Sequence, residues 1–363
     1  MRLALIAPLV APIREPNCGG AQSFLADLAT GLANRGHEVD VFAASQSEID
    51  GANVVDVGVD ASTLQGFLYR ADASPHIDPA PFTAAYARVF DALGERSYDV
   101  VHNHAFDAPA IRGATDIAAP VIHTLHLPPK GAVVHALRVA SKAPRPPLIA
   151  TVSPTQADAW RPFLDIDMVL RPGVNTDRIP WSATPGSGVI FAGRFSPEKG
   201  ALDAIAIARR AGVSLELYGD GYDDAYAQRV LEAADGQPNV RVHPAVPRET
   251  LWRALAGAAA VLCPVHWDEP FGLVAAEAQS CGTPVVAYRR GGLQDIVIDG
   301  VTGFLIEPDD VDAAAAGLGH VTEIDRNRCR THAEKHLDLE AVLDAHERAY
   351  RAILTPALAK SHA

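Results

Sequence analysis

Short apolar runs of strand length alternate along the chain with longer stretches whose apolar residues recur at helical spacing. Residues 2–8 read as a strand, 20–34 as a helix and 38–43 as a second strand, the grammar of βαβ units in a parallel sheet. In that helix Phe24, Leu25, Leu28 and Leu32 form one stripe, and Gly36 ends it. Leu3 to Ala7 is apolar at every position, as a strand buried on both faces requires. The surrounding segment, Met1 to Ala11, has the parts of a signal peptide but reads better as that first strand. Further strands are predicted at 99–102, 121–124 and 148–152, with a helix over 80–95 whose Phe82, Tyr86, Val89, Phe90 and Leu93 line one side.

Between Arg171 and Gly188 the pattern lapses into Pro172, Gly173, Pro180, Pro185 and Gly186, a composition that breaks helices, and the alternation then restarts. The predicted organisation is an amino-terminal doubly wound domain over 1–170, a hinge over 171–187, a second doubly wound domain over 188–335 and a terminal helix over 336–363. That helix carries Leu339, Leu343, Tyr350 and Leu354 on one stripe and is expected to cross back to the first domain. Ligands of such sheets sit at the carboxyl ends of the strands, so two of them facing each other predict a central cleft.

At roughly 150 residues per domain, 363 residues agree with two domains. A net charge of −13 argues against a nucleic-acid binder, which needs a basic footprint, so any phosphate must be held locally. Cys18, Cys263, Cys281 and Cys329 form no Cys-x-x-Cys pair, which points away from zinc knuckles and disulfide frameworks and toward a reducing cytoplasm. No run approaches 18 apolar residues, so no transmembrane helix is expected.

The most informative segment is His-Trp-Asp-Glu-Pro-Phe-Gly-Leu-Val-Ala-Ala-Glu-Ala, residues 266–278. Pro270 and Gly272 predict a helix starting just after Glu269, with that carboxylate in the loop and Glu277 about two turns inside. Eight residues of helix rise about 12 Å, so the two carboxylates suit separate parts of one long ligand such as a nucleotide sugar. Amide groups at Phe271, Gly272 and Leu273, followed by Val274, are expected to meet the diphosphate, with Gly272 offering no Cβ to block its approach. The plain alternative is a surface charge at Glu269 and a solvated Glu277, but the apolar neighbours of Glu277 predict burial, where a charge needs a partner. Gly-Arg-Phe-Ser-Pro-Glu-Lys-Gly, residues 193–200, follows a strand and opens a helix. Its Arg194 and Lys199 can clamp a diphosphate and stabilise the charge of a departing nucleotide, against the alternative of exposed cations paired with Glu198.

With these residues in view, the chain resembles the glycosyltransferases of family four along nearly its whole length. The resemblance implies a GT-B fold of two Rossmann-like domains and transfer that retains anomeric configuration. Glu269 and Glu277 match the family's paired glutamates, facing the donor sugar and binding ribose respectively, and Arg194 and Lys199 match its diphosphate clamp. Gly19 and Gly20, in the Gly-Gly-Ala-Gln-Ser-Phe-Leu segment, look like its amino-terminal glycine loop, which approaches donor phosphate or acceptor through backbone. Val246 and Pro247 lie where such enzymes seat the base, and Trp267 makes the motif similar to a bacterial subgroup that uses UDP-sugars. His104 matches a family histidine that bonds the donor sugar near the anomeric centre, and His126 one near the acceptor.

His102 and His104 share a facing at one strand end, with His123 and His126 at the next. Zinc is one reading, but no carboxylate or cysteine completes a ligand set, and buried structural histidines are the other. No metal and no cofactor are expected, because the sequence lacks a clear Asp-x-Asp site and the fold uses protein cations on the diphosphate. No residue stands as a nucleophile for double displacement, and retaining hydrolases need carboxylates about 5–5.5 Å apart, so front-face substitution fits better. From Ile117 to Ala157 there is no Asp or Glu, while Lys130, Arg138, Lys142 and Arg145 occur there. Arg138 and Lys142, beside the apolar Val133, Val134 and Leu137, suggest an anionic or lipid-linked acceptor or a membrane-surface contact, against the alternative of a solvated basic helix. Three other functions compete: an epimerase of the same fold, a non-catalytic nucleotide-sugar binder, and a dinucleotide oxidoreductase, for which Tyr218-Gly-Asp-Gly-Tyr222 lacks the final glycine.

Overall fold

A computed structural model describes residues 1–67 and 80–355; the end of the expected terminal segment, 356–363, lies outside them. The chain divides into two compact units, one comprising the chain up to Pro172 together with the chain from Leu339 on, the other Gly173–Asp338. Residues 173–187, expected as a hinge, belong to the second unit.

The first unit runs β1 (Arg2–Ile6), α1 (Gly20–Asn34), β2 (Glu38–Ala43), β3 (Asn53–Asp56), α2 (Ala80–Gly94), β4 (Val100–Asn103), α3 (Ala108–Gly113), β5 (Val121–Leu125), α4 (Gly131–Ala140), β6 (Leu148–Thr151), α5 (Pro154–Trp160) and β7 (Met168–Val169). Its strands form one parallel seven-stranded sheet in the order β3-β2-β1-β4-β5-β6-β7. Alternate residues serve opposite faces. Leu3, Leu5, Val39, Val41, Val100 and Ile122 pack against Phe24, Leu25, Leu28 and Leu32 of α1. Ala4, Ile6, Phe42 and Val101 pack against Phe82, Tyr86 and Val89 of α2. Burial on both faces explains the unbroken apolar runs.

The second unit runs β8 (Val189–Ala192), α6 (Ala201–Ala211), β9 (Leu215–Tyr218), α7 (Asp224–Ala234), β10 (Val240–His243), α8 (Arg248–Gly257), β11 (Ala260–Cys263), α9 (Leu273–Ser280), β12 (Val285–Tyr288), α10 (Leu293–Ile296), β13 (Gly303–Ile306), α11 (Val311–Gly319) and α12 (Arg326–His336). Its parallel sheet has the order β10-β9-β8-β11-β12-β13. Here the order reverses between β8 and β11, whose carboxyl ends lead into 193–200 and 264–272, the position where doubly wound sheets bind ligands.

The last helix, α13 (Leu339–Leu354), belongs to the first unit, with Leu339, Leu343 and Tyr350 buried in the α1 face of its core. Leu354, expected on the same stripe, is 42% exposed because it is the helix's final residue and extends past its packing partners. Among the described residues no helix is long and apolar enough to cross a membrane.

Candidate active site

In the second unit the 193–200 segment folds as a loop followed by a single 3₁₀ turn, Pro197–Lys199, so Lys199 precedes α6 and does not begin it. Arg194 pairs with the buried Glu198 at 3.2 Å and stacks 4.1 Å from the Tyr222 ring centroid. Lys199 pairs with Glu269, Nζ to Oε2, at 2.6 Å, and not with Glu198. Two donors on this loop, Arg194 Nε and Ser196 Oγ, are buried with no hydrogen-bond partner in the protein, the condition a bound anion relieves. Ser196 was not singled out from the sequence.

The glutamate motif differs from the expected layout. Gly272 lies outside α9, at φ 100°, so Phe271 and Gly272 precede the helix and its leading amides are those of Leu273 and Val274. A Cβ on Gly272 would stand 2.7 Å from Leu293 Cδ2 and 3.2 Å from Ile296 Cδ1. The missing side chain serves the left-handed turn and the packing of α10. Glu277 sits four residues into α9, about 6 Å of rise, so the 12 Å helical spacer between the carboxylates does not exist.

Both carboxylates are held alike. The Glu269 Oε2 accepts from Lys199 Nζ and from the Trp267 indole N–H at 2.8 Å, and Lys199 lies 4.8 Å from the Trp267 ring centroid. Glu277, 3% exposed, accepts at Oε1 from Arg248 Nε and from the Trp252 indole N–H, each at 3.0 Å, with Arg248 5.0 Å from the Trp252 ring centroid. Burying a carboxylate demands such partners. Arg248 and Trp252 went unrecognised because they lie in α8, 29 and 25 residues before Glu277. Val246 is half-buried in the loop between β10 and α8.

Beside this site His266 bridges Asp203 at 3.4 Å and Asp309 at 2.8 Å, and its hydrogen bond to Asp203 raises its pKa. These three have ligand atoms within 4.8 Å of one another. Tyr288 donates to Asp203 at 2.7 Å and Arg290 to Asp309 at 2.9 Å, so the group is an ion-pair network rather than a set of free metal ligands. Asp165–Asp167 and Asp310–Asp312 have Asp-x-Asp spacing, but Asp167 Oδ2 accepts from the Ile149 N–H at 2.7 Å and Asp310 Oδ1 caps α11 by accepting from the Ala313 N–H at 2.8 Å.

In the first unit β4 and β5 carry the histidines. His102 and His104 do share a face: their rings lie 4.0 Å apart, and His104 Nδ1 meets His126 Nε2 at 2.9 Å. His102 is fixed by the Tyr350 hydroxyl at 2.7 Å and Thr124 Oγ1 at 2.6 Å. Phe24 packs edge-on to His104, and His346 of α13 lies near His102 and Phe24. His123 falls on the opposite face by strand alternation and makes no ring contact with the others among the described residues. Burial pushes the pKa of His126 and His346 down to about 4 and of His123 to about 3, and holds His102 and His104 well below the usual range. The cluster is therefore neutral at pH 7. Three residues beyond His104, Asp107 accepts from the Tyr86 hydroxyl at 3.1 Å, and burial pushes its carboxyl up to about 7, which no sequence pattern signalled.

Gly19 caps α1 in extended conformation and Gly20 is its first residue. Arg138, with Lys130, His135 and Phe163, lines a hollow of about 340 Å³ at the start of α4, and its Nε donates to the Phe163 carbonyl at 3.0 Å. Val134 and Leu137 form the buried side of α4, with Val133 half-buried. Lys142 lies exposed beyond the helix and outside that hollow.

Comparisons with known proteins agree with this layout. Residues 18–178 match the family described as Glycosyltransferase Family 4, and 183–336 match Glycosyl transferases group 1. The chain is 32% identical to the D-inositol 3-phosphate glycosyltransferase of Xylanimonas cellulosilytica, over 91% of this chain and 90% of that one. It is 31% identical to the enzyme of the same name from Mycolicibacterium smegmatis, over 89% and 83%. Sucrose-phosphate synthase from Thermosynechococcus elongatus superposes with a TM-score of 0.79 at 19% identity, covering 97% of this chain and 98% of that one. Anabaena HepE, solved with UDP and glucose, gives 0.74 at 19% identity, over 97% and 100%. Two doubly wound parallel-sheet units with these neighbours are the GT-B fold, and the protein is a glycosyltransferase. The chain belongs to glycosyltransferase family four.

Proposed function

We propose that this enzyme moves a hexose from a UDP-sugar to a hydroxyl acceptor with retention of anomeric configuration. The observation that carries the reading is the contact of Lys199 with Glu269 beside Arg194, whose buried Nε has no partner in the protein. In front-face substitution the acceptor oxygen bonds to the anomeric carbon as the bond from that carbon to the phosphate oxygen breaks, and the hydroxyl proton passes to the departing diphosphate. Arg194 and Lys199 balance the charge that develops there, Glu269 faces the sugar, and Glu277 holds the ribose with the base near Val246. His104 and His126 offer neutral imidazoles to sugar and acceptor.

The acceptor we infer is anionic. Relatives named for D-inositol 3-phosphate support this, as does the hollow lined by Lys130, His135 and Arg138. Thermal unfolding with UDP, GDP, ADP and dTDP, each with and without EDTA, tests the donor. UDP at 100 times its dissociation constant should add about 2.7 kcal/mol, with no effect of EDTA and no gain in Glu277→Ala. No shift with any nucleotide would overturn the reading. Arg138→Gln with Lys130→Gln should weaken use of inositol 3-phosphate while leaving UDP binding unchanged, and equal loss of both would count against the acceptor assignment.

A further inference from the structure

Two glutamates separated by seven residues are each held by a cation and an indole N–H that converge on a single carboxylate oxygen, and in each case the cation lies over the same indole ring. The two clamps are built from different parts of the unit. Trp252 and Arg248 come from α8, which packs directly against α9, and so meet Glu277 between neighbouring helices, whereas Trp267 lies two residues before Glu269 and Lys199 comes from the 3₁₀ turn after β8.

We propose that Trp267 is a positioning residue for sugar transfer and Trp252 a positioning residue for nucleotide binding, so that the two steps of donor recognition are set by separate indoles. The proposal rests on the UDP-sugar reading above. Trp267 is only 9% exposed, so its ring is fixed, and its N–H fixes Oε2 of Glu269. With both bonds on Oε2, Oε1 is the oxygen presented to the sugar hydroxyls. The same ring faces Lys199, so one side chain holds the carboxylate and the leaving-group cation in register. Losing the N–H while keeping a ring frees the carboxylate to swing about Lys199. A misplacement of about 1 Å in such a group costs on the order of 10²-fold in rate. Trp252, 4% exposed, does the same for the glutamate assigned to ribose, away from the reacting carbon.

The experiment compares Trp267→Phe and Trp252→Phe with the native enzyme in two assays: UDP affinity by calorimetry, and acceptor-free UDP-glucose hydrolysis resolved into kcat and KM. Trp267→Phe should keep UDP affinity within about twofold and lose at least tenfold in kcat. Trp252→Phe should lose at least tenfold in UDP affinity and raise KM at least tenfold, with kcat within about threefold. Unfolding midpoints check that both variants are folded. If Trp267→Phe does not fold, Trp267→His, which keeps a ring N–H, replaces it and should hold kcat closer to native than Trp267→Leu. Native kcat in Trp267→Phe, or the same pattern of losses in both variants, would overturn the division of roles. Native enzyme that binds no UDP would instead remove the UDP-sugar reading itself.

Discussion

Lys199 has two tasks that pull in one direction. It neutralises Glu269 at 2.6 Å, and on the transferase reading it faces the departing diphosphate. Removing a preorganised charge of this kind typically costs 10²–10³ in turnover, so Lys199→Ala should lower kcat by about that factor, read as UDP release. A loss below tenfold would put leaving-group stabilisation on Arg194 alone. At this scale the burial of Glu277 and its need for a partner were legible in the sequence, because a charged residue within an apolar helix requires one. Ser196, Arg248 and Trp252 were not. Their roles arise from where an orphaned hydroxyl, a guanidinium and an indole N–H come to rest in space, and nothing in their local pattern announces it.

Among the elements, α9 and the loop before it depend on a backbone contact that periodicity does not encode. Gly291 adopts φ 54°, and a Cβ there would stand 2.3 Å from the Glu269 carbonyl oxygen and 2.4 Å from its nitrogen, while the Gly292 N–H donates to that carbonyl at 2.6 Å. Gly291→Ala should therefore cost more than about 1–2 kcal/mol in denaturant unfolding and also reduce turnover, since the displaced loop carries Glu269. A neutral outcome in both would show that the loop tolerates displacement. On the first unit α13 docks through Leu343, fully buried against α1, where a Cβ on Gly31 would meet it at 2.6 Å. Leu343→Ala should destabilise by about 2–5 kcal/mol. Element types followed the apolar pattern, whereas α9 starts at Leu273 and not just after Glu269, and α6 starts only at Ala201, because left-handed Gly272 and Gly200 stand immediately before them.

For the whole molecule, histidines held neutral by burial, those of the first unit and His332 of the second, contribute to the response to acid. His126 and His346 titrate near 4 and His123 near 3, below the value of about 6.5 expected of an unfolded chain. Between those values the unfolded state binds more protons than the folded one, so stability contributed by these groups is full above about pH 6.5 and falls as pH drops toward 4. Unfolding midpoints measured from pH 7.5 to 4.5 should fall steadily, and His346→Leu should flatten the decline. An unchanged slope would assign acid lability elsewhere. The alternation of strands and helices and the motifs that mark the family were determined by the sequence alone, because periodicity and turn chemistry are local properties written in consecutive residues. Only the tertiary structure decided that Tyr350 fixes His102, 248 residues away, and that each glutamate shares its oxygen between a cation and an indole. Such contacts depend on how packed layers bring distant segments within 3 Å, a distance that no local pattern specifies.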